Sequence, residues 1–189
     1  METHEKEKLL ADLESGRKAL LDALAGLTDE AAARCPAPGR WSVIECVEHV
    51  AVAEEYLFSQ LLAAYSPAEP VGNRAREARI MVGGADRSRT MPSPEAAIPK
   101  GRFATLAEAV EGFQAARRRT IQYVEDCAGD LRALAATHPI VGAVNCYEML
   151  LVMAVHPLRH AKQVAEISRR NVRALVREAR VLLSCIVKS

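Results

Sequence analysis

The chain has 189 residues, 50% of them hydrophobic and 26% charged, which suits one well-buried domain better than two small ones. A formal net charge of +1 gives it no global field with which to gather nucleic acid or acidic partners. The N-terminus is charged from its second residue, and no apolar run approaches the roughly 20 residues that span a bilayer, so neither export nor membrane insertion is expected.

Leu9, Leu13, Leu20, Leu24 and Leu27 recur at helical spacing and predict a first long helix over Glu5 to Leu27. The following "TDEAAARCPAPGRW" is short enough to reverse the chain, with a single turn after Thr28, so the first two long helices are expected to be antiparallel neighbours. Ser42-Val-Ile-Glu45 opens the second helix as a capping box, in which a hydroxyl takes an orphan N–H and a glutamate reaches back.

From Ser66 to Phe103 runs a long connection punctuated by Pro67, Pro70, Pro92, Pro94 and Pro99. A helix of about 24 residues is about 36 Å long, and this segment can cross that distance, which would leave the second and third helices parallel. It can equally serve as a lid, with a short helix over Asn73 to Met81. Thr105-Leu-Ala-Glu108 caps the third helix, whose Arg117 to Arg119 run covers nearly a full turn and reads as solvated. No stretch alternates with a period of two. His138, ahead of Pro139, reads as a turn residue, and Asn145-Cys-Tyr-Glu148 caps the fourth helix.

The expected fold is therefore all-α, a four-helix bundle over residues 1–170 with a long crossover between helices two and three. Residues 171–189 form an amphipathic, basic helical extension: Val172, Leu175, Val176, Ala179, Leu182, Leu183 and Ile186 make one stripe, flanked by Arg169, Arg170, Arg173, Arg177, Arg180 and Lys188. The stripe can pack on the domain or a second subunit, or the basic face can lie on an anionic surface; the first is the ordinary case. Cys35, Cys46, Cys127, Cys146 and Cys185 contain no C-x-x-C pair, which fits a reducing cytoplasm and small buried thiols.

The fourth helix carries the chemistry. On a helical wheel His156, His160 and Gln163 share a face with Met149, Val152, Met153 and Ile167, while Arg159, Lys162 and Glu166 mark its flank. Imidazoles on an apolar face need hydrogen-bond or metal partners, and rings at i and i+4 can converge on one ion. By itself H-x-x-x-H fits a pair of core histidines as well as a metal site. His49, in the second helix, is the candidate third ligand. It lies about 150° from that helix's main stripe, so either it is partly exposed or the helix is buried on two sides, one facing its own bundle and the other another subunit. Glu45 can accept from His49 or serve its capping box alone, the simpler role.

"PAPGRWSVIECVEHV" (Pro36 to Val50), "AAIPKGRFATLAEAVEGFQAARRRTI" (Ala96 to Ile121) and "HPIVGAVNCYEMLLVMAVHPLRHAKQVAEI" (His138 to Ile167) together resemble the DinB/YfiT-like superfamily. The resemblance implies a usually dimeric four-helix bundle whose three histidines, here His49, His156 and His160, hold one divalent ion. It also implies a metal-dependent enzyme acting on a small molecule, either a transferase using a low-molecular-weight thiol or a hydrolase. A non-catalytic, stress-associated metal-binding scaffold is the alternative. Three neutral imidazoles leave a dication its full charge and an open position, as in catalytic sites, and do not select strongly among zinc, nickel, iron and manganese. Such an ion can acidify a water or thiol or polarise a carbonyl. Gln163, one turn beyond His160, can orient a ligand or simply fill a polar position.

Pro157 departs from the pattern. It removes the N–H that would bond the Met153 carbonyl and disfavours the α conformation at His156, so a kink that spoils ligation by His156 is expected as one outcome. Arg159 is expected in an ordinary ion pair with Glu55 or Glu166, or on a substrate carboxylate, and Trp41 as an apolar plug at the start of the second helix.

Overall fold

All three capping boxes form. Ser42 Oγ accepts from the Glu45 N–H at 3.2 Å while the Glu45 carboxylate accepts from the Ser42 N–H at 2.7 Å. Thr105 with Glu108 and Asn145 with Glu148 repeat the reciprocal pair. Each satisfies two donors that a helix start would otherwise leave orphaned. The computed structural model describes residues 1–88 and 91–186, with side chains described through Arg177.

In chain order the elements are α1 (Thr3–Leu24), α2 (Asp29–Ala33, capped by Thr28), α3 (Val43–Leu62), α4 (Arg74–Gly84), a 3-10 turn at Glu95–Ala97, α5 (Leu106–Asp126), β1 (Ala135–His138), β2 (Gly142–Asn145) and α6 (Cys146–Ile186). The long helices α1, α3, α5 and α6 make the bundle.

Two stacked apolar clusters give the helix directions. One takes Leu9 and Leu13 of α1, Leu57 and Leu61 of α3, Val124 of α5 and Met149 to Ala154 of α6. The other takes Leu20 and Leu24, Val43 to Ala51, Leu106 to Phe113, and Val164 with Ile167. The starts of α3 and α5 thus share one end of the bundle with the end of α1, so α3 and α5 run parallel to each other, as the crossover length allows, and antiparallel to α1 and α6.

Neighbourhood differs from expectation. α1 packs on α5 and α6, α3 packs on α5 and α6, and α1 and α3 sit diagonally without close backbone contact. They are antiparallel but not neighbours. The short α2 explains it: it packs on α3, α5 and α6 and carries the chain across the bundle end before α3 begins. Gly16 lets α1 approach α6 closely, since a Cβ there would collide with the Ala154 carbonyl oxygen.

A small antiparallel hairpin, unexpected from the sequence, precedes α6. β1 and β2 pair from Ala135↔Asn145 to His138↔Gly142, and Ala135 also pairs with Tyr65 beyond the end of α3. His138 is the turn residue expected. Its Nδ1 accepts from the Ile140 and Val141 N–H groups at 3.2 and 3.3 Å, and Gly142 supplies the positive φ of 73° that closes the loop.

The crossover is pinned at both ends by buried carboxylates. Glu148, fully buried on α6, accepts from the Asn73 N–H, and Glu48 on α3 accepts from the Lys100 and Arg102 N–H groups at 2.6 and 3.0 Å. Between these anchors α4 lies along α6. The tail continues α6 without a break. Asn171 is buried and donates to the Arg34 carbonyl, whereas Val172, Leu175 and Val176 are exposed. The positions of the expected stripe from Ala179 to Ile186, and Lys188, lie outside the described side chains.

Candidate metal centre

His49 owes its position to burial of α3 on two sides. The main stripe faces the bundle, and the opposite side is covered by the crossover, whose 3-10 turn packs on α3. His49 is 5% exposed, and its Nδ1 lies 2.7 Å from the Ala97 carbonyl oxygen. A carbonyl only accepts, so Nδ1 carries the proton and Nε2 presents a lone pair. The second cover is this chain's own crossover rather than another subunit. Glu45 stays with its cap.

His156 and His160 project from α6 towards that lone pair. His156 Nε2 is 3.2 Å from His49 Nε2 and 2.9 Å from His160 Nε2. The three ligand atoms all lie within 4.8 Å of one another, drawn from two helices, with His49 and His156 107 positions apart in sequence. His160 Nδ1 rests 3.4 Å from the Cys46 sulfur. Burial pushes the Cys46 thiol up to about 12, so it stays protonated and inert.

These distances fit an ion. Three nitrogens at the roughly 2.0–2.1 Å of a zinc–imidazole bond and tetrahedral angles would be about 3.4 Å apart. Without a cation the same packing is awkward, because His156 Nε2 can donate at most one hydrogen and faces two other nitrogens. Burial favours the neutral form of all three rings: His49 is lowered by desolvation against the help of the Ala97 carbonyl, and His156 and His160 are lowered well below the usual imidazole value by desolvation and then by neighbouring positive groups. Neutral imidazole is the form that ligates.

The proline finds its explanation in a residue read as solvated. Arg117 is fully buried, not solvated. Its Nη2 donates to the Met153 carbonyl oxygen at 2.7 Å, the very acceptor that Pro157, four residues on, cannot serve. The same guanidinium donates to the Leu13 carbonyl at 2.6 Å and grips the Glu54 carboxylate through Nε and Nη2 at 2.7 and 2.6 Å. Thr120 Oγ1 adds a hydrogen bond to Glu54 at 2.9 Å. With its lost bond replaced, α6 runs unbroken through Pro157, and His156 keeps its register with His160. The expected loss of register does not occur.

All three histidines line a pocket of about 530 Å³, walled by Trp41 and Tyr56 near α3, by Ile80, Arg87 and the Met91–Pro94 stretch of the crossover, by the hairpin tip, and by α6. The crossover is therefore both a connection and a wall. Trp41, expected as a plug, sets its ring 4.9 Å from that of His49 at a tilt of 38°. Gln163 faces the pocket, but its Oε1 accepts from Arg87 at 2.9 Å, and Arg87 also makes two bonds to Glu166. Arg159 lines the same pocket, while Glu55 is taken by Arg102 and Arg119. Ala97, Ser93, Cys46 and Arg87 were not singled out from the sequence. Of these, only Cys46 stands near a site residue along the chain, one turn before His49.

The sequence model of the DinB superfamily matches residues 12–164. The chain belongs to the DinB superfamily. Among solved structures, TT2238, described as a four-helix bundle protein, matches at a TM-score of 0.55 and 20% identity, over 85% of this chain and 98% of that one. YfiT from Bacillus subtilis, described as a probable metal-dependent hydrolase with an unusual four-helix bundle topology, matches at a TM-score of 0.54 and 16% identity, over 90% and 89% of the two chains. Both likenesses establish the shared fold. No match is found among curated proteins.

Proposed function

We propose that this DinB superfamily member is a metal-dependent enzyme acting on a small molecule, with His49, His156 and His160 as ligands to one divalent ion, zinc, nickel, iron or manganese. The convergence of three Nε2 atoms on one wall of a pocket carries the reading. Held by these three residues, the ion would supply a Lewis acid at the pocket wall. The chain's own residues do the rest. The Ala97 carbonyl fixes the His49 tautomer, Cys46 packs on His160, and Trp41 with Ile80 and Met91 makes one flank of the pocket apolar.

Transfer involving a low-molecular-weight thiol is the first reaction class in this reading, in a cytoplasmic homodimer. Hydrolysis is the second, favoured by the likeness to YfiT, itself described as a probable metal-dependent hydrolase. The test begins with metal content of untagged, chelator-free protein. About one equivalent of a divalent metal is expected in the wild type and a large loss in His160→Ala; equal, substoichiometric content in both would refute the ligand set. A panel of thiols with electrophiles, run beside ester and amide substrates, then separates transfer from hydrolysis. Metal without turnover of any of them is the result expected of a non-catalytic scaffold.

A further inference from the structure

Two residues of α3, one turn apart and so neighbours on the helix surface, reach the metal centre in different ways. His49 turns its Nε2 towards the histidines of α6, while Cys46 lies behind one of them: its sulfur is 3.4 Å from His160 Nδ1, the ring nitrogen on the side away from the cluster. Cys46 is fully buried, packed in the apolar cluster that includes Val43, Val47 and Val50. Its sulfur therefore meets the back of the ring and not the point where the three Nε2 atoms converge. Among the described residues His160 Nδ1 has no other hydrogen-bond partner.

A neutral imidazole that ligates through Nε2 carries its hydrogen on Nδ1, and a hydrogen buried with its ring needs an acceptor. For His49 the acceptor is the Ala97 carbonyl. For His160 a sulfur stands in that place. We infer that Cys46 is a positioning residue of the metal centre, its sulfur accepting from His160 Nδ1–H and so holding that ring in the tautomer and orientation that present Nε2 to the ion. The inference rests on the proposed ligand set. A thiol keeps its own hydrogen while it accepts through a sulfur lone pair, so no proton changes hands. Sulfur is a weak acceptor, and a carboxylate behind the ring would raise the basicity of the imidazole more; the thiol thus leaves the ion more of its charge. Helix α3 in this way supplies one ligand and orients another that belongs to α6.

Zinc affinity of the full chain, measured by competition with a chromophoric chelator, tests the role. Cys46→Ala removes the acceptor and should bind zinc at least about tenfold more weakly than the wild type, while Cys46→Ser, which keeps an acceptor in the same place, should stay within about threefold. Cys146→Ala removes another fully buried thiol, packed in the other apolar cluster, and should leave the affinity unchanged. In zinc-loaded, isotope-labelled protein, long-range proton–nitrogen correlations should show the His160 hydrogen on Nδ1. Its resonance should move in Cys46→Ser, while that of His49, bonded to the Ala97 carbonyl, stays in place. This second readout needs no alanine variant. Equal affinity of Cys46→Ala and the wild type, equal weakening by alanine and serine, or a His160 resonance unmoved in Cys46→Ser would overturn the inference. His160→Ala separates the two claims. A wild type that binds zinc no better than His160→Ala refutes the ligand set and the positioning role together, whereas a large loss in His160→Ala with none in Cys46→Ala refutes the positioning role alone.

Discussion

Substituting Arg117 and Pro157 together isolates the one hydrogen bond that lets a proline sit beside a site histidine. Arg117→Met strips the buried Glu54 carboxylate of its ion pair, leaving it the Thr120 hydroxyl, takes a second donor from the Leu13 carbonyl and leaves the Met153 carbonyl with none. Breaking a fully buried pair of this kind costs about 3–5 kcal/mol. Pro157→Ala returns an N–H to the Met153 carbonyl, so in that background the same arginine substitution orphans one acceptor fewer. The Glu54 and Leu13 penalties are common to both backgrounds and cancel in a double-mutant cycle. What remains is the cost of one buried, unpartnered carbonyl, about 1–3 kcal/mol. Urea unfolding of the four proteins at equal m-values gives the coupling. The penalty of Arg117→Met should be smaller by that amount when residue 157 is alanine. A coupling within error of zero would refute the claim that Arg117 replaces the missing helix bond.

Gly16→Ala should destabilise by about 1–2 kcal/mol on thermal or urea unfolding, because collision with the backbone at Ala154 outweighs the helix propensity gained. A stabilised variant would show that α1 and α6 can part freely. Glu48→Ala removes the acceptor for two crossover N–H groups and should speed hydrogen exchange at Lys100 and Arg102 at least about tenfold; unchanged protection would mean that Glu48 does not anchor the crossover. For pH, burial pushes the Glu5 carboxyl up, but the Arg74 hydrogen bond, the Glu2 N–H and the charges of Arg132 and Arg74 outweigh it and bring it to about 2. Since the folded value lies below the unfolded one, this contribution is complete above about pH 4.5 and is lost as pH falls towards 2. Glu5→Gln should flatten the stability curve in that window, and an unaltered slope would assign the acid transition elsewhere.

What could be read in advance divides by range along the chain. Capping boxes join residues three apart, and His156 and His160 are four apart, so local spacing alone placed them. His49 needed the family resemblance: its side of α3 is covered by a 3-10 turn some fifty residues away, and no periodicity in α3 encodes that cover. The hairpin escaped notice because its strands are only four residues each, partly exposed, and rich in alanine rather than alternating. The diagonal placement of α1 and α3 escaped because a loop's length bounds the distance it spans without saying which corner of the bundle it reaches.

Arg117 makes the strongest case of the kind. In a run of three arginines it looked solvated, and Pro157 looked like a flaw in a ligand-bearing helix, when each is the other's reason. Removing the helix N–H at residue 157 creates a buried acceptor on α6, and a buried acceptor is a place where a guanidinium can be anchored between α1, α3 and α6. Neither residue is interpretable from its own neighbours in sequence, because the hydrogen bond from Arg117 to the Met153 carbonyl that Pro157 leaves free spans 36 positions and exists only once the helices pack. It follows that Pro157→Ala alone should not simply remove a defect. With Met153 served by its own helix, Arg117 loses one of its anchors, and the stabilisation should fall short of the about 3 kcal/mol that removing an interior proline otherwise gives.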